Sequence, residues 1–195
     1  MKKQLFNKMI LLLSLIFVAG AITGCRSKQQ APDYSAHGTE VAIPCSDNDY
    51  FTDATHFRGT GMAEGTNLAS TRRRANLDAN SSLAASINST IRAVTDRYTQ
   101  DITVGDANEF AERFEDMTRQ VVNQVLNNVS ITCNQVFERG GQYSVYMAVE
   151  VDKDELLNNI SSRISRDDRL RLDYDRMQFE RIFNEEMERL EQERP

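Results

Sequence analysis

Three cysteines, Cys25, Cys45 and Cys133, are the most reactive side chains of this 195-residue chain. A thiolate can take an acyl or alkyl group, ligate a metal or pair into a disulfide. A second candidate is Gly59-Thr60-Gly61-Met62-Ala63-Glu64-Gly65, which sits between a strand pattern and a helix pattern. A dinucleotide loop needs its third glycine one residue earlier, and Glu64 would face the phosphates, so close packing explains these glycines better. The two histidines, His37 and His56, belong to no H-x-x-x-H or Cys/His cluster. No G-x-S-x-G elbow occurs among the serines. The acid pairs Asp167-Asp168 and Glu185-Glu186 lie in charge-rich surroundings and read as solvated. These observations predict a protein that is not an enzyme and that carries no cofactor and no metal.

Cys25 is set in a distinctive context. Lys2, Lys3 and Lys8 precede a run from Met9 to Val18 that is apolar except for Ser14, and small residues follow. That is the order of a secretory signal, and the run is too short to span a bilayer. Its end, Ile22-Thr23-Gly24-Cys25, resembles the lipobox of bacterial lipoproteins. The resemblance implies cleavage before Cys25, a diacylglyceryl thioether on its sulfur and a third, palmitate-type chain on its new amino group. Two or more chains anchor a protein stably where one does not. Arg26, rather than Asp, follows the cysteine. In the best-known envelope systems Asp there resembles an inner-membrane retention signal, so the expected location is the outer membrane, facing the periplasm.

The chain has 23 basic and 29 acidic residues. Loss of residues 1–24 removes three lysines and no acid, and the net charge moves from −6 to −9. That balance argues against nucleic acid as a partner. With 40% hydrophobic residues and three prolines, the chain is neither collagenous, mucin-like nor wholly disordered. The expected organisation is a signal peptide over 1–24, a flexible polar tether over 25–48, an α+β domain over 49–165 and a charged amphipathic helix over 166–195. With Cys25 acylated, Cys45 and Cys133 remain. An oxidising envelope permits a disulfide between them. It would close a loop of about 88 residues and stabilise by roughly 4 kcal/mol in the chain-entropy account. The alternative is two separate thiols, with Cys133 a small core residue of a strand.

The elements follow from periodicity. A strand is expected over Thr55–Met62, where alternate glycines require something to approach one face closely, most simply a helix. From Ala63 to Tyr98, Leu68, Arg72, Ala75, Ala79, Leu83, Ile87, Ile91, Val94 and Tyr98 form one helical stripe. Arg72, Arg73 and Arg74 fan over different faces and are expected to pair with nearby acids. Gly105-Asp106 reads as a break and N-cap before a second helix with Ala107, Phe110, Phe114, Met117, Val121 and Val125 inward. A hairpin follows. A two-residue Gly140-Gly141 loop would pair Phe137 with Ser144 and put the two apolar faces on opposite sides. A three-residue Arg139-Gly140-Gly141 loop pairs Phe137 with Tyr143, Cys133 with Met147 and Ile131 with Val149. That loop is expected, because register must keep one face buried. Asp152 should cap a helix over Lys153–Ile164, with Leu156, Leu157, Ile160 and Ile164 inward. Leu170–Glu193 should form the last helix, with Leu170, Tyr174, Met177, Ile182, Phe183, Met187 and Leu190 as a drifting stripe.

Phe57-x-Gly59-x-Gly61, the alanine-bearing helix with Arg73, Ala75, Ala79 and Leu83, and the hairpin ending in Val145, Met147, Val149 and Val151 resemble the twenty-kilodalton lipoprotein family of bacterial outer membranes. That resemblance covers about half of the chain, Thr55 to Val151. It implies a lipid anchor and a small domain of strand, helix and antiparallel hairpin, with no catalytic residues. The expected fold is therefore α+β, a three-stranded antiparallel sheet covered by helices, with a charged C-terminal helix. The expected role is a membrane-anchored adaptor or structural protein binding another envelope component. The alternative is a periplasmic module for a small ligand or cell-wall fragment, held in a groove between sheet and helices.

Overall fold

The computed structural model describes residues 41–101 and 107–193. The apolar leader, Cys25, most of the expected tether, His37 and the Gly105-Asp106 cap lie outside them. The described chain runs β1 (His56–Gly65), α1 (Leu68–Asp101), α2 (Ala107–Val125), β2 (Ser130–Arg139), β3 (Gln142–Asp152), α3 (Lys153–Ile164) and α4 (Arg176–Gln192). The three strands form one antiparallel sheet in the order β1-β3-β2. The fold is α+β.

β1 extends three residues beyond the expected strand, so Ala63–Gly65 belong to the sheet and α1 begins only at Leu68. Asn67 caps it, its side chain accepting the Ser70 N–H at 3.0 Å. The stripe from Ala75 to Tyr98 is buried, but its first turn differs from expectation: Thr71 faces inward and Arg72 is exposed. A slow drift of the 3.6-residue period moves the seam by one position there.

α1 lies directly on β1 and β3. A Cβ on Gly59 would stand 2.3 Å from the Leu83 backbone nitrogen, and one on Gly61 2.2 Å from that of Ala79. The strand thus has glycine where the helix has alanine, and backbone meets backbone. This close seat requires the glycines that sequence alone could also have assigned to a phosphate loop.

α2 and α4 pack against α1, and α3 joins α2 to β3. Their apolar faces make one core. Phe57 of β1 meets Phe183 of α4 edge-on, and Tyr98, Phe110, Phe114, Tyr174 and Phe179 continue an aromatic chain beneath α2 and α4. The Tyr98 hydroxyl donates to the Asp173 carbonyl at 2.9 Å and accepts the Asp175 N–H at 2.6 Å, tying the end of α1 to the start of α4. Burial raises the pKa of both Tyr98 and Tyr174, which favours their protonated form.

The last helix starts at Arg176, not Leu170. Asp175 caps it, and Leu170–Leu172 form a separate tight turn. The shift puts Phe179 in the core and leaves Met177 in solvent. Glu186, expected to be solvated, is 3% exposed and paired with Arg189, while Glu185 meets Arg97 at 2.6 Å. α3 starts at Lys153 with the Asp152 side chain accepting the Glu155 N–H at 2.8 Å.

The hairpin departs from the expected register. Arg139 pairs with Gln142, so the loop is the two residues Gly140-Gly141, and Phe137 faces Ser144. Both glycines have positive φ, 60° and 82°. That conformation matches the right-handed twist of the strands, which a two-residue loop needs. Ile131 still pairs with Val149, because an irregularity at Thr132 absorbs the extra residue, but Cys133 pairs with Ala148 rather than Met147. The three-residue loop was argued from one buried face. The sheet buries apolar residues on both.

Candidate functional site: the outer face of the sheet

On the face away from the helices the register sets four cross-strand rows. They are Arg58–Glu150–Ser130, Thr60–Ala148–Cys133, Met62–Tyr146–Gln135 and Glu64–Ser144–Phe137. Each follows from the period of two in the strands.

The first row is ionic. The Arg58 guanidinium pairs with Asp53, donates to Glu150 at 2.9 Å and to the Phe51 carbonyl at 2.9 Å. Burial opposes the charge on Asp53, yet hydrogen bonds from Thr55, Arg58 and His56 hold its carboxyl far below the ordinary range. The Arg58 N–H donates to the Thr52 hydroxyl at 3.0 Å. The segment before β1 is thereby fixed along that strand's free edge. Further along the same edge, the Asp78 carboxylate accepts the Met62 N–H at 3.0 Å, and Arg74 donates to the Glu64 carbonyl. Blocking of this kind keeps an edge from recruiting another strand.

The second row is covered. Cys45 is bonded to Cys133, with Cα atoms 5.7 Å apart, and lies over Ala148 between Tyr50 and Tyr146. Cys45 has φ 56°, the one described non-glycine residue in the left-handed region. A β-carbon there raises the local energy, and the covalent bond holds the residue in place.

The last two rows are open. Met62 is 47% exposed and Phe137 49%. Phe137 meets Tyr146 edge-on with ring centres 5.8 Å apart. Beside them Glu64 accepts hydrogen bonds from Ser144 at 3.1 Å and from Gln142 at 3.4 Å. Pro44, Phe137, Tyr146, Ser144, Glu64 and Arg139 border a groove of about 540 Å³. Among the described residues the histidine, His56, lies at the other end of β1 from Ser144 and Glu64. The arrangement offers an apolar and aromatic floor with hydrogen-bonding partners at its rim.

No family model matches this chain, and neither a curated protein nor a solved structure does. The reading of the surface therefore rests on its own residues.

Of the residues singled out from sequence, Cys45 and Cys133 come together, whereas Cys25 and His37 lie outside the described residues. His56 sits by the ionic row, its Nδ1 2.8 Å from the Thr55 hydroxyl. Among the described residues Arg72, Arg73 and Arg74 do not find the expected carboxylates; Arg74 donates to the Glu64 carbonyl. The Met62–Tyr146–Phe137 surface was not foreseen. A signal for it existed: in β3, Tyr146 and Ala148 alternate with Val145, Met147 and Val149, so both faces of the strand are apolar.

Proposed function

We propose that this chain is a lipid-anchored, non-enzymatic adaptor of the bacterial cell envelope. It is acylated at Cys25, faces the periplasm from the outer membrane and binds another envelope protein through the outer face of its sheet. One observation carries the docking reading. The helices cover one face, yet the other keeps Met62 and Phe137 half exposed on a rigid three-stranded platform. Exposed aromatic and methionine side chains on a fixed element are typical binding anchors. The Cys45–Cys133 bond suits an oxidising compartment. The lipobox pattern and the resemblance to the twenty-kilodalton lipoproteins point the same way.

The test has two parts. Intact mass and membrane partition of the wild type are compared with Cys25→Ala in a lipoprotein-competent bacterium; acyl mass on a chain starting at Cys25, lost in the variant, is the expected result. Photo-crosslinkers at positions 62 and 137 should then give the same protein adduct in intact cells, and the position-62 adduct should be abolished by Phe137→Asp. Adducts that are absent, or unaffected by that substitution, refute the docking face.

The groove beside Phe137 and Tyr146 favours a second reading, a site for a small polyhydroxyl ligand such as a cell-wall fragment. An aromatic floor with Glu64, Ser144 and Gln142 at its rim suits a sugar face. Ligand-dependent thermal stabilisation would separate it from the adaptor.

A further inference from the structure

We propose that the end of the domain formed by the hairpin tip and the start of α1 rests on the anionic phosphate headgroups of the bilayer. The proposal deepens the lipid-anchor reading and rests on it.

Topology brings four arginines to this end. α1 runs antiparallel to β1, so Arg74 stands against Gly65 with Arg72 and Arg73 on the same turn of the helix, and Gly65's partner Tyr143 adjoins the Gly140-Gly141 turn and Arg139. All four are exposed, and none meets a carboxylate among the described residues. Elsewhere guanidiniums are commonly matched: Arg58 with Asp53 and Glu150, Arg97 with Glu185, Arg119 with Glu115, Arg189 with Glu193. Arg92, Arg163 and Arg166 also lack a carboxylate, but Arg163 and Arg166 are engaged by Gln124 and Ser162 and lie on another side, at the end of α3.

The acids at the same end keep their charge but do not pair with these arginines, so three carboxylates stand against four guanidiniums. Glu64 accepts from Ser144 and Gln142, Glu138 from the Gly141 N–H and Asp78 from the Met62 N–H. Neutral donors thus occupy carboxylates that could have taken guanidiniums. In a chain with 29 acids and 23 bases, an end where arginines outnumber carboxylates is one that an anionic surface attracts.

The chain itself says which anion is near. Pro44 lines the groove beside Arg139 and Glu138, and Ile43, 55% exposed, precedes it. The covalent path to Cys25 therefore leaves the domain at this end. Sixteen residues lie between Cys25 and Ala42, seventeen Cα steps with a reach of at most about 60 Å. The 34-residue α1 spans about 51 Å, so a tether attached at this end brings it to the bilayer more readily than the far end of that helix. The remaining acidic surface is repelled by anionic lipid, which makes the contact orienting as well as attractive.

The chain has no tryptophan, so a single introduced one reports its own depth. Lipidated full-length Gln142→Trp, at the hairpin tip, and Met177→Trp, 83% exposed on α4 at the far end of α1, are placed in phosphatidylethanolamine–phosphatidylglycerol vesicles with brominated acyl chains. The expected result is quenching at 142 and none at 177. Arg72→Gln, Arg73→Gln and Arg139→Gln together should relieve it, each lowering the ratio of docked to undocked end roughly fivefold. Vesicles of phosphatidylcholine alone should also abolish the difference. Equal quenching at both positions, or quenching unchanged by the arginine substitutions, refutes the proposal while leaving the anchor intact. A chain without acyl mass that does not float with vesicles refutes the anchor, and this orientation with it.

Discussion

Replacing Gly59 by alanine adds one methyl group where α1 sits on β1. The new carbon would lie 2.3 Å from the Leu83 nitrogen, 2.5 Å from the Ala79 carbonyl oxygen and 2.7 Å from the Leu83 Cα. Ordinary contact begins near 3.4 Å, so the shortfall is about 1 Å, and every offending atom is backbone. No rotamer can relieve it. The helix must lift from the sheet, and a gap of that size forfeits about a quarter to a half of each affected dispersion contact. Ala75, Ala79, Leu83 and Ile87 all lose, because the helix moves as a unit. Overpacking of deformable cores costs about 1–3 kcal/mol, and this site belongs at or above the top of that range, about 3 kcal/mol or more. In a domain of this size that lowers Tm by roughly 6–12 °C. Gly140→Ala is the control. Its φ is 60° but open space surrounds it, so the cost is about 1 kcal/mol of left-handed strain. Urea unfolding of the two variants beside wild type measures both. If Gly59→Ala costs no more than Gly140→Ala, the helix is not seated on the strand backbone and the packing argument fails.

Cys45→Ser with Cys133→Ser should destabilise by about 2–4 kcal/mol, since the bond closes an 88-residue separation; reductant should reproduce the loss in wild type and leave the double variant unchanged. Wild-type stability should also fall with acid in a defined sense. The folded Asp53 carboxyl titrates below its unfolded value near 3.9, so its contribution is complete above that pH and drains as pH falls from about 4. Asp53→Asn should cost about 1–2 kcal/mol at neutral pH, and its unfolding free energy should converge with wild type in acid. Parallel curves would show that Asp53 is not the titrating group.

The helical layer was legible in the sequence because Ala75, Ala79, Leu83, Ile87 and Ile91 repeat at a period that only a helix buries on one side. The Asp152 cap was legible for an equally local reason. Thr71 and Arg72 were not separable, since both lie near the edge of the same stripe and only contact with Gly65 decides between them. The outer sheet face was misjudged through a sound rule given a wrong premise. Register follows the buried face, but here a second buried patch is made by Cys45, which local pattern cannot bring to Cys133. Given that patch, Gly140-Gly141 is the ordinary two-residue turn, and Phe137 belongs with Tyr146. Arg58, Asp53 and Glu150 were hidden for the same reason: β1 and β3 are 92 residues apart at that pair.

The disulfide also decides where mechanical load travels. If the chain is anchored at Cys25 as proposed, a pull from the membrane side reaches Cys45 and passes through the sulfur pair into β2 at Cys133. A partner held at Phe137 would apply the opposing force four residues away on the same strand. The segment from Ser46 to Thr132, with β1, α1 and α2, then lies in a side loop that bears no tension. While the bond is intact, the helical layer and its glycine seat are isolated from the strain between anchor and cargo. Once it is reduced, the same pull enters through the Asp53–Arg58 contact and begins to peel β1 from the sheet.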